Sequence, residues 1–191
     1  MKKCIIMGNG PSVNDMPRDV FASLPSYGVN YCKYHPTYFV CVDHDILTKY
    51  PAKIYEVAKR AEITYISQKD LGGSNLYELP NVELVSHDRD AFYLEHYFSG
   101  LTVVYVALKL AYYAGFEEVH LWGVDHSADW AHYRDDYPVG AVDRRAYLMG
   151  EMFYHYELAS RVYNTAGRAI VNHSLPSKLD TIFQRVGKDK L

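Results

Sequence analysis

The sequence predicts an α/β protein, a three-layer sandwich in which helices cover a mostly parallel central β-sheet. Short apolar and β-branched runs, typical of buried strands, alternate along the chain with longer segments of helical character. The chain has 191 residues, 49% hydrophobic and 23% charged, which is ordinary for one globular domain. We therefore expect a single domain over residues 1–191, with a small lid around 126–142 and right-handed connections between strands.

The first half of the chain supplies most of the predicted strands. An apolar run ends at the turn Gly8-Asn9-Gly10-Pro11-Ser12, and a second run around Val40 is both β-branched and aromatic. Pro51 opens a helix at the position where a missing N–H costs least. The predicted elements are strands at 3–7, 27–31, 38–43, 63–67 and 82–85, helices at 20–24 and 51–61, and a loop at 71–79.

The second half contains the best-defined unit of the sequence. Ser99 is a candidate N-cap for a helix at 101–114, and Gly115 is placed to end that helix in a left-handed conformation. The remaining predicted elements are a strand at 118–122, a long helix at 143–165, a strand at 169–172 and a terminal helix at 178–185. The apolar stripe of the long helix fits burial within one chain or pairing with a second subunit equally well, so a homo-oligomer stays open.

Composition excludes several classes of protein. Lys and Arg number 20 against 23 Asp and Glu, a net charge of −3, which argues against a dedicated nucleic-acid binder. The three cysteines form no CxxC pair, so the expected compartment is a reducing cytoplasm. No apolar run approaches the length of about 18 residues that a membrane span needs. The sequence has no HExxH motif and no cluster of Cys and His residues, which argues against structural zinc, and no GxSxG motif, which argues against an α/β-hydrolase.

Polar residues follow the predicted strands at their carboxyl ends, where parallel sheets bind ligands. The first turn lets backbone amides approach an anion closely, although a plain tight turn has the same composition. The helix start at Ser99 and Gly100 could hold an anion or be an ordinary N-cap. The candidate nucleotide-binding residues are Gly8, Asn9, Gly10, Ser12, Asn30, Ser99, Gly100 and Asp125.

Two further groups could contribute chemistry. Asp43 and Asp45 form a DxD pair of the kind with which many glycosyltransferases hold Mg²⁺ or Mn²⁺, a short match that also occurs by chance. His126 and His132 flank a polar segment and are candidates for a general acid or base, or for hydrogen-bonded structural residues.

The segments 2–12 and 115–125, together with Asn30 and the Ser99-Gly100 helix start, resemble two related groups of proteins along nearly the whole chain. One group is the bacterial sialyltransferases that use CMP-sialic acid. The other is the archaeal 6-hydroxymethylpterin diphosphokinases with their uncharacterised relatives, some of them in phages, and segment 172–180 is most similar to this second group. The motifs are more specific for the fold than for the reaction.

The resemblance implies a Rossmann-like nucleotide site. In the sialyltransferases the matching residues hold CMP, a lid histidine acts as base and no metal is needed; His132 matches a lid histidine, whereas the second histidine, four residues on, is replaced by Asp136. In the diphosphokinase-like group Asp125 and His132 would contact nucleotide or Mg²⁺. The residues that the resemblance assigns to CMP are Asn9, Ser12, Asn30, Ser99 and Gly100.

We therefore expect a transferase that moves a group from an activated nucleotide, a CMP-sugar or ATP, to a small-molecule acceptor. Glycosyl transfer and Mg-ATP-dependent diphosphokinase activity are close rivals, because both require donors aimed at phosphate oxygens. A non-catalytic nucleotide-binding module is the third reading, since a fold does not fix a function. Tyr31, Trp130 and Tyr133 are candidates for shaping the acceptor pocket by stacking.

Overall fold

The central feature of the computed structural model is one eight-stranded sheet in which each neighbouring pair of strands is parallel. The structure describes residues 1–67, 75–85, 102–126, 142–174 and 177–185. The strands are β1 Lys3–Met7, β2 Ser26–Val29, β3 Tyr38–Cys41, β4 Ile63–Ser67, β5 Val82–Val85, β6 Glu118–Trp122, β7 Ala169–Asn172 and β8 Gln184–Arg185. The expected α/β architecture is confirmed.

Helices pack on both faces of this sheet. They are α1 Arg18–Ser23, α2 His44–Lys49, α3 Pro51–Ala58, α4 Val103–Tyr113 and α5 Val142–Thr165, with 3₁₀ turns at Pro11–Asp15, Asn75–Glu78 and Lys178–Thr181. In the described parts of the chain, no helix is both long enough and apolar enough to cross a membrane.

The order of the strands in the sheet is β5-β4-β3-β2-β1-β6-β7-β8. The chain therefore builds the sheet outward in one direction from β1, returns, and builds outward in the other direction from β6. These two strands lie side by side, with Met7 paired to Trp122 at their carboxyl ends. A reversal of this kind leaves a crevice beyond the strand ends, where ligands bind in open α/β sheets.

The strand alternation sends apolar side chains into two buried clusters, one on each face of the sheet. Cys4 and Ile6 of β1 join the cluster under α4 and α5, whereas Ile5 and Met7 join the cluster under α2 and α3. Each fully buried Ile or Met side chain contributes about 1.5–3 kcal/mol of hydrophobic stabilisation. The two clusters together hold β1 at the centre of the sheet and fix the position of the turn that follows it.

Three sequence predictions about elements need correction. The helix predicted from residue 101 begins at Val103, and Thr102, not Ser99, is its N-cap: Thr102 is extended and its Oγ1 accepts the N–H of Val104 at 3.4 Å. The helix predicted at 178–185 is a short 3₁₀ turn followed by β8, which pairs with β7. Helix α2 was not predicted; the Asp43 carboxylate caps it by accepting the N–H groups of Asp45 and Ile46.

The end of α4 is as predicted. Gly115 has a φ of +79°, and the N–H of Phe116 reaches back to the carbonyl of Ala111. This left-handed termination satisfies carbonyls in the last turn of the helix and turns the chain into β6. The first residue after the turn is thus placed so that β6 runs parallel to β1.

Candidate functional site

Two turns meet at the switch point, one after β1 and one after β6. The N–H of Gly8 donates to the carbonyl of Trp122 at 2.7 Å, and the N–H of Gly10 donates to the carbonyl of Gly123 at 2.7 Å. In return, Ser12 Oγ accepts the N–H of Gly123 at 3.2 Å. Because hydrogen bonds run across the gap in both directions, the two turns form one structural unit, which we call the paired turns (residues 8–12 and 123–126).

The Asp125 carboxylate ties this unit together. Its Oδ2 accepts the N–H of Ser12 at 3.3 Å, and the side chain is only 4% exposed. Burial raises the pKa of this carboxyl group above its usual range, against the opposing effect of hydrogen bonds from Ser12. Asp125 is therefore a largely desolvated acceptor at the carboxyl edge of the sheet.

Positions 8 and 10 must be glycine because the first turn lies very close to the turn after β6. A Cβ atom on Gly10 would overlap Asp125 Oδ2, and one on Gly8 would overlap the carbonyl of Gly123. The φ of Gly10 is −71°, a value that any residue adopts, so the constraint there is steric and not conformational. Only glycine lets the first turn lie this close to the Asp125 turn.

Asparagine side chains extend the site toward β2. Asn9 Nδ2 donates to the carbonyl of Val29, the last residue of β2, at 3.0 Å. The next residue, Asn30, has a φ of +50° and is buried, and its Oδ1 has no hydrogen-bond partner in the protein. A buried polar atom without a partner is costly, so Asn30 presents an acceptor suited to a ligand N–H or O–H group.

A second non-glycine residue in the left-handed region is His126, with a φ of +44°. Such conformations are uncommon outside glycine and concentrate at functional sites. In the described chain Asn30 and His126 are the non-glycine residues with positive φ; Asn30 follows β2, and His126 lies in the turn after β6. Among the described residues, this backbone strain therefore lies at the edge of the sheet that carries the candidate residues.

A hydrogen-bonded series of side chains holds His126. Its Nε2 lies 2.9 Å from the Tyr156 hydroxyl of α5, and that hydroxyl donates to Thr102 Oγ1 at 3.3 Å. The Tyr156 hydroxyl thus connects the His126 ring to Thr102, the N-cap of α4. Burial lowers the pKa of His126 to about 4, aided by the charge of Lys178, so the ring is neutral near pH 7.

The structure brings together seven of the residues singled out in the sequence: Gly8, Asn9, Gly10, Ser12, Asn30, Asp125 and His126. Their role in nucleotide binding stays a prediction. Ser99, Gly100 and His132 lie outside the described residues, as do Trp130, Tyr133 and most of the predicted lid.

The DxD pair has other partners in the structure. Asp43 caps α2, as described above, and the exposed Asp45 forms an ion pair with Lys49 at 3.6 Å. Within the described ranges no group of three His, Cys, Asp or Glu side chains is arranged to hold a metal ion. The metal role predicted for Asp43 and Asp45 therefore gains no support from the described geometry.

The sequence places Ser174 with the polar residues that follow the last strand, but it does not reveal that Ser174 and Ser177 hold the Asp125 turn. Ser174 Oγ accepts the N–H of Val124 at 2.8 Å, and Ser177 Oγ donates to the carbonyl of Val124 at 3.1 Å. The N–H of Lys178 reaches the carbonyl of Asp125 at 3.3 Å. The polar run after β7 signalled a rim segment, but the pairing of its serines with Val124 depends on the neighbouring positions of β6 and β7 in the sheet.

No protein-family model matches the chain, and no curated protein matches it in sequence.

Solved structures do match the fold. The sialyltransferase CstII from Campylobacter jejuni in complex with cytidine-5'-monophosphate is 17% identical, with a TM-score of 0.62, over 98% of this chain and 86% of that one. CstII in complex with a trisaccharide acceptor and CMP is 17% identical, with a TM-score of 0.55, over 98% and 87% of the two chains.

A third match is an α-2,3-sialyltransferase from Campylobacter jejuni in apo form, which is 15% identical with a TM-score of 0.54. The alignment covers 98% of this chain and 81% of that one. At these identities the likeness extends to the fold. The chain therefore has the α/β fold of these sialyltransferase structures.

Proposed function

We propose that this chain is a nucleotide-dependent glycosyltransferase that takes a sugar from a cytidine-nucleotide donor and transfers it to a small acceptor. The observation that carries the proposal is the pair of turns at the switch point, held within 2.7–3.3 Å hydrogen bonds of each other. The switch point is where open α/β sheets bind nucleotides. The likeness of the whole fold to sialyltransferase structures with CMP bound supports the same reading.

The charges and hydrogen-bonding groups of the site suit different parts of the nucleotide, so we assign the ribose, the base and the phosphate to different residues. The Asp125 carboxylate would repel a phosphate but is a strong acceptor for a ribose hydroxyl, so we assign the ribose to its vicinity. Asn30 Oδ1, buried and without a protein partner, would accept a hydrogen bond from the base or the sugar. The N–H groups of Gly8, Gly10 and Ser12 already donate within the paired turns, so we assign the phosphate to Ser99 and Gly100, which the resemblance places among the CMP contacts.

The acceptor hydroxyl needs a base as the new glycosidic bond forms. A base works best with a pKa near the working pH, and His126, with a pKa of about 4, is a weak one. We therefore propose His132 as the base and His126 as a residue that links the rim to Tyr156 of α5. In this scheme the acceptor oxygen attacks the anomeric carbon, the bond to the CMP phosphate breaks, and the proton passes to His132.

The diphosphokinase and non-catalytic alternatives are outcomes of the same experiment. Purified protein is heated with CMP, UDP, GDP, ADP or ATP, with and without Mg²⁺; a ligand at a hundred times its Kd adds about 2.7 kcal/mol to the stability of the folded state. Stabilisation by CMP without metal, together with release of CMP from CMP-sialic acid, is the expected result. Stabilisation only by ATP with Mg²⁺ would overturn the proposal in favour of a kinase, and binding of CMP without turnover would reduce the chain to a binding module.

A further inference from the structure

A chain of buried polar side chains runs along β6 toward the site. Glu118, His120 and Trp122 lie on the same face of the strand, because every second residue of a strand points to the same side. His120 Nε2 lies 2.8 Å from Glu118 Oε1, and His120 Nδ1 lies 2.9 Å from His173 Nε2, in the residue that follows β7. We call Glu118, His120 and His173 the histidine chain.

The histidine chain is buried away from solvent at its inner end, formed by His120 and His173. His120 is 1% exposed and His173 is 2% exposed. The ring of His173 lies flat on the indole of Trp122, with centroids 4.7 Å apart and planes inclined by 3°. At the outer end, the Nζ of Lys3 meets Glu118 Oε1 at 2.8 Å at the partly exposed edge of the sheet. Two histidines in such a place have no water to compensate for a misplaced proton.

These contacts fix where each proton lies. His120 Nε2 lies 2.8 Å from the Glu118 carboxylate, although the contact is not aligned as a hydrogen bond, and the negative charge of that oxygen disfavours a lone pair on Nε2, so the His120 proton lies at Nε2. Burial lowers the pKa of both histidines, so both rings are neutral near pH 7 and each carries one N–H. His120 Nδ1 is then an acceptor, and His173 must donate to it from Nε2. Glu118 thus sets the tautomer of both rings, across 53 residues between the histidines.

The inner end of the histidine chain lies next to Ser174, which holds the Asp125 turn through Val124. The backbone N–H of His173 donates to the carbonyl of Leu121 at 2.9 Å. The next residue, Ser174, holds the N–H of Val124 with its hydroxyl at 2.8 Å, and Val124 precedes Asp125. We therefore expect a change in the position of the His173 ring to move Ser174 and, through it, the turn that carries Asp125.

We propose that His120 and His173 are positioning residues for the site at the paired turns, and that Glu118 locks their tautomers so that Ser174 holds the Asp125 turn in place. The proposal rests on the proposed function in so far as the positioned site binds a nucleotide. The wrong tautomer at either ring would set two donors or two lone pairs against each other at 2.9 Å, and the His173 ring would leave its place on Trp122.

The test compares three variants of the full chain. Glu118→Leu removes the carboxylate beside His120 Nε2, Glu118→Gln keeps a polar oxygen at that position, and Glu117→Leu makes the same apolar change at the neighbouring exposed carboxylate. Long-range ¹⁵N imidazole spectra report the tautomers, and hydrogen exchange at the Val124 amide reports the brace without any ligand. Titration with CMP reports the site.

We expect both wild-type histidines to carry the proton at Nε2. Glu118→Leu should give mixed tautomers, at least tenfold faster exchange at the Val124 amide and at least tenfold weaker CMP binding, with Glu118→Gln and Glu117→Leu close to wild type. Should Glu118→Leu fail to fold, His173→Phe keeps a ring on Trp122 without the hydrogen bond and should show the same loss of protection.

A proton at Nδ1 of either wild-type ring would overturn the proposal, as would altered tautomers with unchanged exchange at Val124. If wild-type protein binds no CMP, the proposed function fails, while the spectra and the exchange rates still decide whether the histidine chain holds the turn.

Discussion

Asp125 Oδ2 accepts the backbone N–H of Ser12 at 3.3 Å, although 113 residues separate them in the chain. This hydrogen bond closes the switch point between β1 and β6, because it joins the turn after one strand to the turn after the other. A site built in this way depends on the order of strands in the sheet. A substitution in either turn should consequently weaken ligand binding by displacing both turns.

Substitution of Gly10 by Ala should separate the paired turns. The added Cβ would overlap Asp125 Oδ2 and crowd the carbonyl of Gly123, so the first turn must move away. We expect a loss of stability of about 1–3 kcal/mol from the overpacking and at least a tenfold loss of CMP affinity, measured by thermal melts and by calorimetric titration.

The matched control is Gly150→Ala in α5, where a Cβ meets nothing within 4 Å. That change should raise stability by up to about 1 kcal/mol through helix propensity and leave CMP affinity unaltered. Equal effects of the two substitutions on CMP affinity would contradict the assignment of the first turn to the site.

Removal of the Tyr156 hydroxyl should weaken the support of His126. Tyr156→Phe breaks the contacts to His126 Nε2 and Thr102 Oγ1, and we expect a cost of about 1–3 kcal/mol in the free energy of unfolding. We also expect weaker CMP binding, because Thr102 opens α4 beside the rim.

Tyr163→Phe on the same helix is the control. Its hydroxyl donates to the carbonyl of Leu108 at 2.7 Å and is equally buried. A similar loss of stability without a change in CMP affinity is expected there. The role of Tyr156 at the site is refuted if both variants bind CMP as wild type does.

The low pKa of His126 predicts a stability that falls with acidification. The unfolded ring takes up a proton near pH 6.5, whereas the folded ring does so only near pH 4, so between these values the unfolded state binds more protons and is stabilised relative to the folded state as the pH falls. Wild-type stability should drop across this window, by up to about 3 kcal/mol from this residue.

His126→Gln should lack that share of the drop. Urea denaturation of the two proteins at pH values between 4 and 7 measures the difference, which should favour the variant increasingly as the pH falls. Parallel curves across the whole range would show that His126 titrates normally.

Asp43 should behave as a helix cap. Asp43→Ala removes the acceptor for the N–H groups of Asp45 and Ile46, which should cost about 1 kcal/mol of stability. We expect CMP affinity to stay the same in this variant and to be insensitive to EDTA in the wild type. A fall in affinity on chelation that disappears in Asp43→Ala would restore the metal role that the DxD motif suggests.

The strands and most of the rim could be predicted from the sequence because local patterns determine them. Lys3–Met7 and Glu118–Trp122 are apolar runs that end at glycine turns, and both appear in the structure with the predicted bounds. The prediction of a terminal helix was wrong because β8 forms its hydrogen bonds with β7, and a short stretch of sequence around β8 does not reveal that partner.

The contact between His120 and His173 could not be predicted from the sequence for the same reason. Each histidine alone fits a buried or surface position, and only the adjacency of β6 and β7 makes them a pair. The predicted N-cap of α4 was wrong for another reason: Ser99 and Thr102 are both residue types that cap helices well, so the sequence alone does not decide between them, and the structure has Thr102 as the cap.

The most direct test of the nucleotide site is a titration of ¹⁵N-labelled protein with CMP, followed at the backbone amides. We expect large shift changes at Gly10, Ser12, Asn30 and Asp125, with little change at Gly115 and Gly167, which lie in the turns that lead into β6 and β7 at the opposite edge of the sheet. Unchanged amides at the paired turns at saturating CMP, or changes centred on Gly115 and Gly167, would contradict this expectation.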